Sequence, residues 1–274
     1  MQNGNRSGMR QRGFSLVELL AVVAILTVVL GLVFRYINSA QKIYRTQETK
    51  VDATQQAREA IDEITRELHQ SGYPGTNMYA PGVLGTPSVN DSRAAAGLVK
   101  VSASEIWFEG DIANDGNVYS VHYKLYDNSG AAATTTSNCP CSLQRSAVIK
   151  ANSTAPMAQT ATYNSAIENV INSGGVGTAG AALTLTGNTA VGGGAGTVTA
   201  DDTVYSAYKT AQLFTAYDAS GNVVTLPTDI VNSPTTLATV KTVKITINLM
   251  ARNQDAQTNV RPVVPITAVV KLNN

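Results

Sequence analysis

The chain has few charges, only two histidines and only two cysteines. Charged residues make up 14% of its 274 positions, well under the usual quarter. Such a composition, 43% hydrophobic with abundant small polar residues, suits an exported, strand- and loop-rich head better than a cytosolic enzyme. Cys139 and Cys141 flank Pro140, and two cysteines do not make a disulfide framework. His69 and His122 stand at no zinc-finger spacing, so no four-ligand zinc site is expected. HExxH, GxSxG and GxxxxGK[ST] are all missing, and no enzymatic role is expected. From Tyr73 onward eleven basic and twelve acidic residues are scattered, which gives no electrostatic footprint for nucleic acid. Proline is absent between Phe14 and Gly72, so nothing there breaks a helix.

What is present is concentrated at the start. Arg6, Arg10 and Arg12 form a basic head without an acid. Then comes FSLVELLAVVAILTVVLGLVF, Phe14 to Phe34, whose only charge is Glu18. As a helix these 21 residues extend about 31 Å, enough to cross a hydrocarbon core. A secretory signal needs a small-residue cleavage site after its apolar run. Asn38-Ser39-Ala40 is a poor one, and the better cut lies before the run, after Gly13. A carboxylate in an apolar helix is costly, so Glu18 calls for a compensating partner.

Gly13-Phe14-Ser15-Leu16-Val17-Glu18 resembles the prepilin signature of type IV pilins and type II secretion pseudopilins. The resemblance implies cleavage between Gly13 and Phe14 by a membrane prepilin peptidase, N-methylation of Phe14, and retention of the apolar segment as anchor and filament core. The new ammonium at Phe14 then supplies a partner for Glu18 of a neighbouring subunit in a dry core. Glu18 also stands in the first turns of the helix, where negative charge is favoured.

The helical pattern continues past the anchor. Ala40, Tyr44, Val51, Ala57, Ile61, Ile64 and Leu68 recur at mostly helical steps, and Gly72-Tyr73-Pro74 is a stop. A continuous helix from Phe14 to Ser71 would measure about 87 Å. Ala57 to Pro74, AREAIDEITRELHQSGYP, resembles the helix end of PilW-like minor pilins and, less closely, of J-type pseudopilins. Many major pilins carry a proline in the anchor half; this chain has Arg35 near that place.

Strands are expected at Leu98–Val101, Ile106–Glu109 and Val118–Tyr126, with Lys241–Ala251 and Val263–Lys271 as an antiparallel pair. Tyr119, Val121, Tyr123 and Leu125 fall on one face, Ser120, His122 and Lys124 on the other, which reads as a half-buried sheet. Phe214–Val224 reads as strand and turn, and together with the VVKLNN ending resembles a PilW-like head. Between about 151 and 200 the composition shifts to Gly, Ala, Thr and Asn, which reads as an insertion, partly strand, forming a surface flap toward solvent or a partner.

Three motifs compete with plainer explanations. Gly175–Gly180 matches GxGxxG but follows no convincing strand and opens no helix, so it reads as a loop. Asp111 to Asn117 lies between two strands, where Asp115-Gly116 signals a hairpin. Bound calcium at Asp111 and Asp115 is the alternative, although Ala113 and His122 stand where an EF-hand places ligands. For Cys139 and Cys141 a local disulfide ranks first, then free thiols, then a metal half-site.

The expected fold is α+β: a pilin-like lollipop, with a long N-terminal α-helix packed on an antiparallel β-sheet head. Its parts are a cleaved leader (1–13), a transmembrane and filament-core half-helix (14–35), an amphipathic half (36–72) and a β-rich head (73–274). The function the resemblance implies is a structural minor pilin that initiates or caps a type IV pilus, with adhesion, motility or DNA uptake as associated roles. A J-type pseudopilin of type II secretion and a ligand-binding pilin are the alternatives. The implied partners are other major and minor pilins through the helix, prepilin peptidase and an inner-membrane assembly platform. No cofactor is expected. The chain would sit first in the inner membrane and then at the cell surface.

Overall fold

A computed structural model describes residues 15–127, 129–133, 139–172, 184–188, 195–199, 202–255 and 260–272. It divides into two compact units, residues 1–47 and 48–274. Helix α1, Leu16–His69, begins in the first and ends in the second.

In the first unit every described side chain from Ser15 to Ser39 is exposed, including Leu16, Leu26 and Phe34. Straight-chain and branched aliphatics sustain the helix, since no proline or charge cluster interrupts it. By length and composition α1 is able to cross a membrane.

The second unit is an α+β head: the C-terminal part of α1 followed by an antiparallel sheet. From Ala53 on, α1 buries Ala53, Ala57, Ala60, Ile61, Ile64, Glu67 and Leu68, a stripe at three- and four-residue spacing. The expected members Ala57, Ile61, Ile64 and Leu68 are in that stripe. Tyr44 and Val51 are not: they are 74% and 61% exposed. Burial starts only where the sheet lies beneath the helix.

Strands β1 (Leu98–Val101), β2 (Glu105–Gly110), β3 (Tyr119–Tyr126), β4 (Cys141–Ile149) and β5 (Asn164–Val170) form a run of antiparallel neighbours. A separate hairpin pairs β6 (Thr184–Asn188) with β7 (Ala195–Thr199), and α2 (Asp202–Lys209) follows. Then come β8 (Phe214–Tyr217), β9 (Thr228–Asp229), α3 (Pro234–Thr239), β10 (Thr242–Met250) and β11 (Val263–Lys271). The sheet order is β11-β10-β5-β4-β3-β2-β1-β9, with β8 also on β10.

Cross-strand pairing fixes the faces. Ile106 lies opposite Tyr123 and Tyr123 opposite Arg145, while Trp107 lies opposite His122 and His122 opposite Ser146. The first set faces α1. On the second face, half-burial of the sheet implied solvent at Ser120 and His122, yet both are buried, as is Ser146. Residues 150–163 return across that face, where the Thr162 N–H donates to Ser146 Oγ at 2.8 Å. The stretch expected as a partly stranded surface flap does contain strand, but residues 164–170 enter the main sheet as β5, between β4 and β10. Ile167 and Val170 supply the apolar contacts that hold it there.

Candidate functional site

Glu18 stands in the first turn of α1, and the Leu19 N–H donates to the Ser15 carbonyl at 3.1 Å. Its carboxylate therefore sits near the positive end of the helix dipole, among exposed aliphatic side chains. Ser15 and Glu18 also have the spacing of a capping box, a signal the sequence reading did not use. Gly13 and Phe14 lie outside the described residues. So large an apolar surface, left uncovered by the described residues, calls for a nonaqueous environment or other helices.

Residues 8–34 match the prokaryotic N-terminal methylation motif. This match supports a type IV pilin-like or pseudopilin protein that is processed by prepilin peptidase and anchored in a membrane through its N-terminal helix. No curated protein and no solved structure matches the chain.

The head contains three polar clusters that the sequence reading passed over. In the first, Tyr123 donates its hydroxyl hydrogen to Glu67 Oε2 at 2.6 Å. Arg145 donates to both oxygens of Glu67, through Nε at 3.2 Å and through a second, closer bond, and to Tyr123 Oη at 3.1 Å. Glu63 adds a longer contact to Arg145 at 3.4 Å. Burial works to lower the Arg145 pKa, but the Glu67 carboxylate outweighs it and holds the guanidinium charged. The readable signal was an acid at position 67, inside the Ile64–Leu68 stripe.

In the second, His122 lies between Glu105 and Tyr163. Its Nε2–H donates to Glu105 Oε1 at 2.6 Å, and the Tyr163 hydroxyl donates to Nδ1. Trp107 stacks on the imidazole with centroids 4.5 Å apart, and its indole N–H donates to Ser120 Oγ at 2.7 Å. Lys100 closes the far side of Glu105 at 2.9 Å. Burial depresses the His122 pKa, more than Glu105 raises it, which favours the neutral ring; with Glu105 taking the Nε2 hydrogen, Nδ1 is then the acceptor. Burial raises the Glu105 carboxyl, but its bonds to His122 and Lys100 prevail and bring it to about 2.

In the third, Lys150 and Glu109 are wholly buried and 2.6 Å apart. Lys150 Nζ also donates to the carbonyls of Val89 and Ala94, so its three hydrogens are all placed. Glu109 Oε2 accepts the Ala96 N–H as well, while Oε1 has no partner among the described residues. Burial pushes the Glu109 carboxyl up, against the pull of Lys150.

Asp111 and Asp115 close the connection between β2 and β3. Asp111 accepts the N–H groups of Asp115 and Gly116, and Asp115 accepts the Asn117 N–H and the Tyr119 hydroxyl. These carboxylate oxygens serve the turn. No group of three or more potential metal ligands occurs among the described residues. The sulfurs of Cys139 and Cys141 are at bonding distance, with Cα atoms 4.4 Å apart at the start of β4. All three clusters can fix the helix and loops on the sheet.

Proposed function

We propose that this chain is a minor pilin of a type IV pilus, one of the subunits that start or cap the filament. The observation that carries the reading is an exposed apolar helix, bearing one acid near its start, ahead of a compact head. Cutting after Gly13 frees an ammonium at Phe14, and methylation leaves it charged. That ammonium pairs with Glu18 of the adjacent subunit inside a bundle of apolar helices, where low polarity makes the match strong and a mismatch costly. Glu18 therefore selects register, and burial of Leu16–Phe34 supplies the drive to assemble. The head stays outside the bundle, and its polar clusters hold the helix end to the sheet. The length of the chain and the likeness of Ala57–Pro74 to PilW-like helix ends favour a minor over a major subunit. A pseudopilin of type II secretion would use the same assembly physics.

The test is complementation of a pilus-forming cell that lacks this chain. Glu18→Ala is expected to remain membrane-bound and processed while failing to restore filament number, and Glu18→Asp to restore it in part. Normal piliation with Glu18→Ala contradicts the proposal. Restoration of protein secretion without any change in piliation moves the chain to the secretion system.

A further inference from the structure

The segment that returns across the second face of the sheet is held unevenly. At its start the Lys150 N–H donates to the Val118 carbonyl at 2.8 Å, and the buried Gln159 side chain bonds the backbone of Ala151 and Thr154. At its end Asn164 enters β5 opposite Arg145. Between these holds Thr160, Ala161 and Thr162 are exposed and Tyr163 is half-buried. Residues 160–163 make no backbone-to-backbone hydrogen bond among the described residues. What ties them to the sheet is the Thr162 N–H on Ser146 Oγ, at 2.8 Å, and the Tyr163 hydroxyl on His122 Nδ1.

The second of these bonds needs an unprotonated nitrogen. Around it, Glu105 on β2 accepts from His122 through one oxygen and faces Lys100 on β1, at 2.9 Å, and Lys124 on β3, at 4.0 Å, through the other. From β4 the residue opposite is Ser146, which carries no charge. From the returning segment it is Tyr163, whose ring meets that of Tyr126 on β3 with centroids 5.3 Å apart. An imidazolium would be a third cation about one carboxylate, and its Nδ1–H would point at the hydroxyl hydrogen of Tyr163. A charge buried in that way is costly until water reaches it. Lifting residues 160–163 brings water to Nδ1.

We propose that Tyr163 and His122 form an acid-released latch: a proton taken up at Nδ1 frees residues 160–163 from the sheet while the rest of the head stays folded. The holds on either side, at Gln159 and Asn164, confine the movement to these four residues. The open form presents an imidazole with its ordinary affinity for a proton, and the closed form one with less, so opening grows as pH falls below about 6.5. The lifted segment turns His122, Ser146 and Tyr126 toward solvent. One face of the head then differs between neutral and mildly acid surroundings. The latch lies wholly within the head and acts the same wherever the subunit stands.

The experiment is amide hydrogen exchange on the full-length chain in detergent micelles, from about pH 7.5 to about pH 5.5, with rates corrected for their chemical pH dependence. A peptide containing Thr162 and Tyr163 reports the latch, and one from β10 reports the folded head. The expected result is that protection at Thr162 falls by up to about tenfold per pH unit below about 6.5, while β10 keeps its own. Tyr163→Phe should lower protection at Thr162 several-fold already at the neutral end, and His122→Gln should remove the pH response. Loss of protection in both peptides together, no loss in either, or a pH response that survives His122→Gln overturns the latch. So does a Tyr163→Phe chain whose Thr162 amide is as protected as before.

Discussion

The hydroxyl of Tyr123 lies 2.6 Å from Oε2 of Glu67, joining the third strand of the sheet to a helical residue fifty-six positions earlier. Arg145, directly across from Tyr123, completes the contact from the next strand. One buried carboxylate is thereby satisfied by two strands at once, and the helix end cannot slide without leaving it unpaired. Tyr123→Phe keeps the packing and removes one bond, at an expected cost of about 1–2 kcal/mol. Glu67→Ala is expected to cost more, because Arg145 keeps its charge and loses its main partner. Urea unfolding of the two variants checks the order; equal costs would contradict it.

Gly110 is where the sheet meets the helix exit. Ser71 bridges to Gly110, and the Gly72 N–H donates to the Glu109 carbonyl at 2.9 Å. A Cβ on Gly110 would sit 2.3 Å from the Gln70 carbonyl oxygen, which is backbone and cannot rotate away. Gly110→Ala should therefore destabilise the head by about 3 kcal/mol, and a thermal melt would register it directly. A neutral result would require the helix end to move freely.

Lys150 and Glu109 make a sharper prediction about buried charge. Lys150→Met strands the Glu109 carboxyl in the interior and should cost about 3–5 kcal/mol. The double variant Lys150→Met, Glu109→Leu should recover most of that loss, since neither charge is then left alone. Chemical denaturation of the single and double variants measures it. A double variant as unstable as the single one would show that the ammonium's hold on the Val89 and Ala94 carbonyls dominates.

Acid should loosen the head in two stages. Burial holds the folded His122 pKa below its ordinary 6.5. The unfolded chain therefore takes up that proton first, and stability falls as pH drops below about 6.5. Glu105 follows: its folded pKa of about 2 lies below the ordinary 4.5, so its contribution is present above 4.5 and lost between there and about 2. Trp107 is the only tryptophan and stacks on His122, so its fluorescence reports both stages. His122→Gln should abolish the upper stage and shrink the lower one, because His122 is one of the two groups that hold the Glu105 carboxyl down.

Much of the frame was legible because its patterns are periodic. Strand Val263–Lys271 has the expected bounds, its pairing with β10 is antiparallel, and Ala57, Ile61, Ile64 and Leu68 are the helix's buried stripe. Strand β4 was not legible: CSLQRSAVI places polar residues on both faces, because Arg145 serves Glu67 on one side and Ser146 serves the returning loop on the other. The helix stripe was read too far back, through Val51 and Tyr44 to Ala40, since periodicity marks an amphipathic face without saying where its cover begins. The clusters at Glu67, His122 and Lys150 join residues up to 78 positions apart, as Glu67 and Arg145 are, and no local pattern records such distances. At the other end, Glu18 was legible as an anomaly: a single acid in 21 apolar residues.

The central claim is that the chain is cut at Gly13 and built into a filament through Phe14 and Glu18. Intact-mass analysis of protein recovered from sheared surface filaments tests it most directly. The account predicts a chain that begins at methylated Phe14, present in few copies relative to the main subunit. A chain that keeps residues 1–13, or one absent from the filaments, would contradict it.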